Sequence, residues 1–379
     1  MPMTSRTFAV AAFAAGILLS AGAHAQQGVS ATTVVIGQSA PLTGANAELG
    51  NDIRNGALAY FKKVNDAGGV HGAKLKLVTL DDKNDTKLSA ENSKKLVDDE
   101  NVVALFGYAS STLSIPAMPA VIEGKVPFFA PFTGADTIRK QNEYVYTIRA
   151  TYADEIDKIV NFWGNLGSTR VTVLHYDDTV GKQNFETVAA VLKKFGREPV
   201  SVAIKRNADI TDANFNAVVS SEPNVLVVTT LYAPAAQMIK RLKAANRATM
   251  VTSLSFAGAS QLAKALGEDA TGVSVALTVP PPRTRGVPVL RECDEAWVAS
   301  GQKVPMSVTA LESCIAAKVL VEGMRRSGKE VTRASLHRAL SGLGRFDAGG
   351  YVVDFKPNFR HGGSYVGMAL LKPNGEVRD

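Results

Sequence analysis

Apolar runs short enough for single strands recur along the chain, each followed by a loop of small residues and then by an apolar stripe at helical spacing. The first run, 33–38 (TVVIGQ), is rich in β-branched residues and leads into SAPLTGANAELGND, a loop of turn-forming residues. Ile53, Ala57, Tyr60, Phe61 and Val64 then recur on one helical face, with Asp52 as the expected cap and Asn65, Gly68 and Gly69 as the stop. Strands at 74–80, 102–106, 126–130 and 144–149 continue the series. After Ala150 it starts again, with a helix over 152–166 and strands at 170–175, 200–204, 225–230, 250–254 and 273–279 separated by helices. Such alternation predicts parallel sheets covered on both faces, because a crossover helix is what returns the chain to begin the next parallel strand. Roughly 350 residues exceed what one core serves, so the two series read as an α/β protein of two Rossmann-like lobes.

The run 279–288 (VPPPRTRGVP) is the clearest break, since three consecutive prolines cannot lie inside a helix or a central strand. We read it as a crossover between lobes. Helices at 289–300, 307–328 and 332–341 follow, and the economical arrangement returns them to cover the first lobe. Strands at 351–355 and 365–371 would then finish on the second. The expected division is a leader at 1–25, a first lobe of 26–149 plus 281–345, and a second of 150–280 plus 346–379.

The stretch 105–136 carries two loops that each follow a buried strand, and in open α/β sheets ligands sit beyond the carboxyl ends of the strands. Gly107 ends the first strand, and Ser110, Ser111 and Thr112 stand where the next helix begins. Hydroxyls beside the unpaired N–H groups of a helix start make a seat for a carboxylate. The second loop carries Pro131, Phe132, Thr133 and Gly134. Ordinary capping by the same serines and threonines accounts for them equally well. Asp81 and Asp82 close the second strand as a metal-capable pair, although capping the helix near Thr86 is the simpler role.

Arg6, the apolar run 8–19 and the small-x-small triplet Ala23, His24, Ala25 form a cleavable secretory leader, so the mature chain is expected to begin at Gln26 in the periplasm. No later run is long enough to span a bilayer, and no cysteine follows the leader to carry a lipid. The net charge of +7 is mild, with Lys and Arg scattered among acids and no basic stripe with interleaved aromatics, which argues against a nucleic-acid partner. Cys293 and Cys314 are the only cysteines. An oxidising compartment favours a disulfide between them over two separate thiols, and no nearby His or second Cys pair suggests a metal.

Catalytic signatures are missing. Residues 267–274 (GEDATGVS) have the glycine spacing of a phosphate loop, but Val273 occupies the position of the essential lysine. There is no GxGxxG after a strand, no HExxH and no GxSxG. Of the five histidines only His175 falls at a strand's carboxyl end. Two lobes without catalytic machinery point to binding.

The segments IGQSAPLTGANAELGNDIRNGALAYFKKVNDAGGVHG, ALFGYASSTLS, VPFFAPFTGAD and YVYTIRATYADEI resemble the periplasmic substrate-binding proteins of branched-chain amino acid type ABC importers. The similarity continues through VTALESCIAAK and GGYVVDF, over nearly all of the chain beyond the leader. It implies the type 1 periplasmic binding protein fold: two lobes, joined by three crossovers, that close on a ligand. It further implies no cofactor, a free periplasmic monomer and an ABC permease as partner. In the site, the resemblance implies that Ser111 binds a ligand carboxylate, that Phe132 and Gly134 add backbone contacts, and that Leu49 packs on the ligand side chain. Tyr108, Ser110 and Thr133 adjoin these positions. Val180, Tyr232 and Phe256 would supply the opposite wall, with Tyr152 reaching in from the first crossover.

Two departures bear on the ligand. The amino acid binders carry a glutamate where Ser255 stands and commonly an aromatic where Val180 stands. Without that carboxylate a ligand ammonium loses a charge-assisted partner worth roughly 1.5–3 kcal/mol. The expected ligand is therefore a small carboxylic acid, aromatic or amino-acid-like, delivered to a permease; the alternative is a receptor module feeding a membrane sensor. Intact mass of the exported chain is expected to correspond to a start at Gln26, and a mass that retains 1–25 would refute the leader.

Overall fold

A computed structural model of the protein describes residues 29–30, 32–44, 46–139, 142–356, 360–373 and 377–378; the leader and Gln26 lie outside the described residues. The first sheet holds β1 (Val29–Ser30), β2 (Thr33–Ala40), β3 (Lys74–Asp81), β4 (Ala104–Phe106), β5 (Phe128–Phe129) and β6 (Val145–Tyr146). Its parallel strands run in the order β3-β2-β4-β5-β6, and β1 turns back antiparallel on β2. The second sheet repeats that order with β7 (Val171–Tyr176), β8 (Val200–Ile204), β9 (Val225–Thr229), β10 (Met250–Ser253) and β11 (Val273–Leu277), arranged β8-β7-β9-β10-β11. In both sheets the strand order reverses beside the first strand of the series, at β2/β4 and at β7/β9, which is where a doubly wound sheet opens a crevice at its carboxyl edge.

The strands are apolar because both faces are covered: β4, β7, β9 and β11 are buried throughout. The helix Ala47–Asp66 lays Ile53, Ala57, Tyr60 and Phe61 inward, while Lys62 and Lys63 remain exposed. It begins earlier than expected, so Asp52 lies within it and Asn46 occupies the cap position. The cap of the helix Thr86–Asp98 is Asp85, whose carboxylate accepts from the backbone N–H of Lys87 and Leu88. Asp81 instead ties down the loop after β2 through Leu42 N and Thr43 Oγ1, and Asp82 accepts from Ser39 Oγ. Among the described residues no group of three or more His, Cys, Asp or Glu side chains is placed to hold a metal ion.

The chain leaves the first sheet for the second at 147–151, leaves the second at 278–287 and returns to it after Phe355. After the second change the helix Val308–Arg326 packs along Ala47–Asp66 with Gly56 at the contact, where an added Cβ would lie 2.1 Å from the Ala310 carbonyl oxygen. The tail differs from expectation. Instead of joining the second sheet, β13 (Val352–Phe355) pairs with β12 (Gly344–Asp347) in a hairpin of its own. Phe355 then packs edge-on against Phe129 and Tyr146 of the first sheet, a contact that alternation within four residues does not encode. Only β14 (Gly367–Leu371) and β15 (Val377–Arg378) finish on the second sheet, antiparallel beside β11. Tyr351 joins the crossovers, its hydroxyl lying 2.6 Å from the Ile148 carbonyl oxygen and 3.0 Å from that of Thr278.

Cys293 and Cys314 form a disulfide between the helices Pro288–Ala299 and Val308–Arg326. Closing a loop of this length is worth about 3 kcal/mol in the chain-entropy account. Replacing both cysteines by alanine is expected to lower unfolding stability by that amount in urea titration, and an unchanged midpoint would show that the bridge carries no stability.

Candidate functional site

The loops after β2 and β4 face those after β7, β9 and β10 across the seam between the sheets. At the centre of that seam lies a buried charge cluster. Arg149, on the first crossover, places Nε 3.1 Å from a Glu312 carboxylate oxygen. Its Nη2 donates to Ser255 Oγ at 2.8 Å and approaches Thr278 Oγ1 at 3.3 Å. Glu155 binds Ser255 twice, accepting from its backbone N–H at 2.8 Å and its hydroxyl at 2.7 Å. Glu312 comes from the first lobe's helix Val308–Arg326, whereas Glu155 and Ser255 come from the second lobe.

Three ionisable side chains are thus withdrawn from water together: Arg149 is 2% exposed, Glu155 0% and Glu312 5%. Burial pushes both carboxyls above the usual range, with Arg149 pulling each partly back. For Arg149, burial acts to lower the pKa but is outweighed by Glu312 and Glu155, which hold it charged. Its Nη1 has no hydrogen-bond partner among the described residues.

Beside this cluster the lobes enclose a cavity of about 10 Å³, on the scale of one water molecule. Leu49, Phe132, Ser255 and Phe256 line it together with Thr278, Thr309 and Glu312. Phe132 also lies under the Arg149 guanidinium, 5.4 Å from ring centroid to Cζ. Along the same seam an outer cleft of about 430 Å³ is lined by Gly134, Tyr152, Val180 and Asn184. The Tyr152 ring, 5.0 Å from that of Phe256, connects the two. Gly134 is a glycine for steric reasons, since a Cβ there would sit 2.6 Å from the Tyr152 backbone nitrogen. The Tyr152 hydroxyl is buried near Thr133 without a well-formed hydrogen bond.

The two loop serines divide the roles left open by sequence. Ser110 is the helix cap, accepting from Leu113 N, while the Ser111 hydroxyl, on a residue 4% exposed, has no partner among the described residues. Thr133 Oγ1 is occupied by Ala135 N, and the Phe132 N–H by the Tyr108 carbonyl, so Phe132 faces the seam with its ring and has no free backbone donor. Tyr108 itself points away, beneath the first sheet, with its hydroxyl 2.8 Å from Ser93 Oγ and its ring against Phe128. Tyr232 stands at the start of the helix Tyr232–Ala244, its pKa pushed up to about 12 by burial and by Glu48 and Asp52 across the seam. His175 is satisfied within the second lobe, against Ser201 Oγ and the Phe185 ring.

Sequence reasoning missed Glu155, Thr278, Thr309 and Glu312. Glu155 also corrects one premise: position 255 is a serine, but an acid from a different helix fills its surroundings. A model of the family described as periplasmic binding protein matches residues 33–376 of the chain. The chain belongs to the periplasmic binding protein family. This binding protein is 30% identical over 193 residues to an amino acid binding protein from Pseudomonas aeruginosa, spanning about half of that relative (50%). It is 25% identical over 93% of both chains to the leucine-, isoleucine-, valine-, threonine- and alanine-binding protein of the same organism. A crystal structure of a substrate-binding periplasmic protein from Ralstonia solanacearum superposes with a TM-score of 0.86 at 30% identity, covering 91% of this chain and 99% of that one. The fold is that of type 1 periplasmic binding proteins, which are binding proteins and not enzymes. Among the described residues no helix is long and apolar enough to cross a membrane.

Removing the guanidinium while leaving two buried carboxylates is expected to be costly. Arg149→Met should lower unfolding stability by about 3–5 kcal/mol at neutral pH, with partial recovery when Glu312→Gln is added. A loss in urea titration below about 1 kcal/mol would mean that the cluster relaxes without it.

Proposed function

We propose that this binding protein captures a small carboxylate-bearing solute between its lobes and delivers it to the permease of an ABC importer. The observation that carries this reading is the division of labour at the β4 loop. Ser110 satisfies the helix start, which leaves the neighbouring Ser111, a residue 4% exposed whose hydroxyl has no partner among the described residues, as a donor for an acidic ligand. Leu49, Phe132 and Phe256 offer that ligand an apolar surround.

The charge cluster changes the expected chemistry of the ligand. Glu312 pairs with the guanidinium and lines the inner cavity, and Glu155 lies close by on Ser255, which supports room for an ammonium group in the ligand. The relative that binds leucine, isoleucine, valine, threonine and alanine supports the same class. An amino-acid-like ligand with an apolar side chain fits better than a simple acid. With only about 10 Å³ left inside, entry requires the lobes to part, and closure around the solute then selects the form presented to the permease.

Calorimetry with leucine and its deaminated 2-oxo analogue tests the reading. Ser111→Ala is expected to weaken binding about tenfold or more without lowering the melting temperature of the ligand-free protein. Ser110→Ala should do the reverse, costing about 1 kcal/mol of stability through the lost cap with affinity retained. An unchanged dissociation constant in Ser111→Ala would place the ligand elsewhere.

A further inference from the structure

A second cavity, of about 440 Å³, opens where the helix start at Glu48 and Asp52 meets the second lobe's helix Ala259–Leu266 and the loop before Val308. It is larger than the enclosed cavity at the centre of the seam and has a different character. Trp297, Val304, Met306 and Val308 make one wall apolar, and Trp297 is fixed there by donating its ring N–H to the Val304 carbonyl. Val304 is 63% exposed.

The opposite wall carries the polar anchor. Glu48 is held by Lys264 at 2.8 Å. Asp52 has no ion-pair partner among the described residues. Both of its hydrogen bonds, from Gln261 Nε2 and Ser307 Oγ, fall on the same oxygen, Oδ2. The other oxygen, Oδ1, has no partner among the described residues. Burial raises the Asp52 pKa to about 6, so a positive charge at that oxygen would favour its ionised form.

An apolar wall facing a carboxylate oxygen with spare acceptor capacity is a pattern that selects ligand chemistry. We infer that this cavity is a second ligand site, distinct from the solute cleft, that takes a compact amphipathic amine: its ammonium on Asp52 Oδ1, its apolar body against Trp297 and Met306.

The chain has two tryptophans, Trp163 and Trp297, so a Trp163→Phe background makes emission a reporter of this cavity alone. Phenethylamine titrated into the mature Trp163→Phe protein is expected to change Trp297 emission saturably, with 2-phenylethanol at least about tenfold weaker because it lacks the charge. Asp52→Asn should abolish the preference for the amine. Val304→Phe, on an exposed position, should block both probes by filling the cavity, with the fold checked by circular dichroism and the carboxylate untouched. Ser111→Ala should leave the response intact, which separates this site from the solute cleft whatever that cleft binds. A response equal for amine and alcohol, no saturable change, a response that survives both Asp52→Asn and Val304→Phe, or loss of response in Ser111→Ala would each overturn the proposal.

Discussion

The Arg149 guanidinium is the constraint on which the arrangement of the two lobes depends. A cation removed from water is tolerated only when its partners are fixed, and here they come from three separated parts of the chain: Glu312, Ser255 and Thr278. Glu155 completes the set by fixing Ser255 from the other side. A buried ion pair is a poor source of net stability, since desolvation offsets much of the attraction, but it is demanding about geometry. Misplacing any one partner strands a charge. The cluster therefore specifies how the first crossover passes between the sheets, and Tyr351 adds neutral ties to the carbonyls of Ile148 and Thr278 on the first two crossovers.

Much of the fold was legible because parallel strands buried on both faces leave continuous apolar runs, and those runs need crossover helices. The strand Val200–Ile204 coincides with its sequence-based bounds. What escaped was structure without a periodic signal. In Gly344–Asp347 the residues alternate between half-buried and exposed, with Arg345 and Asp347 outward, and a strand so short is hard to tell from a loop. The hairpin it forms with Val352–Phe355 is held to the first sheet by Phe355, a tertiary contact with no local signature. Asp52 was misplaced for a related reason: the glycines and asparagines before it read as loop, yet Ala47–Asn51 is already helical.

The site was legible in its loops and not in its charges. Loops that follow strands announce their position, as for Phe132, whereas Leu49, Ser255 and Phe256 were named through the family resemblance; all four line the inner cavity. The acids sit on helices, where an acidic residue ordinarily reads as a cap or a solvated face. A signal existed all the same. Asp154 already makes the capping box with Thr151, which leaves Glu155 with no capping role. Glu312 is the only acid in the apolar run VTALESCIAAKVLV, where a helix buried on nearly all sides has no solvated face to offer it. An acid with neither a cap nor water available must be partnered inside, as Glu312 is by Arg149 and Glu155 by Ser255.

The ties that close the seam differ in kind between its rim and its centre. At the rim, Asn84 meets Asn207 and Lys264 meets Glu48, exposed contacts that are worth little and cost little to break. At the centre, Leu49, Phe132 and Phe256 share a space of about 10 Å³, room for one water molecule, with Ser255, Thr278, Thr309 and Glu312. Opening therefore exposes these rings and aliphatic groups together with the polar side chains beside them, and a solute that enters the gap meets both when the lobes return. The solute proposed above, an apolar body with a charged end, would answer both kinds of surface.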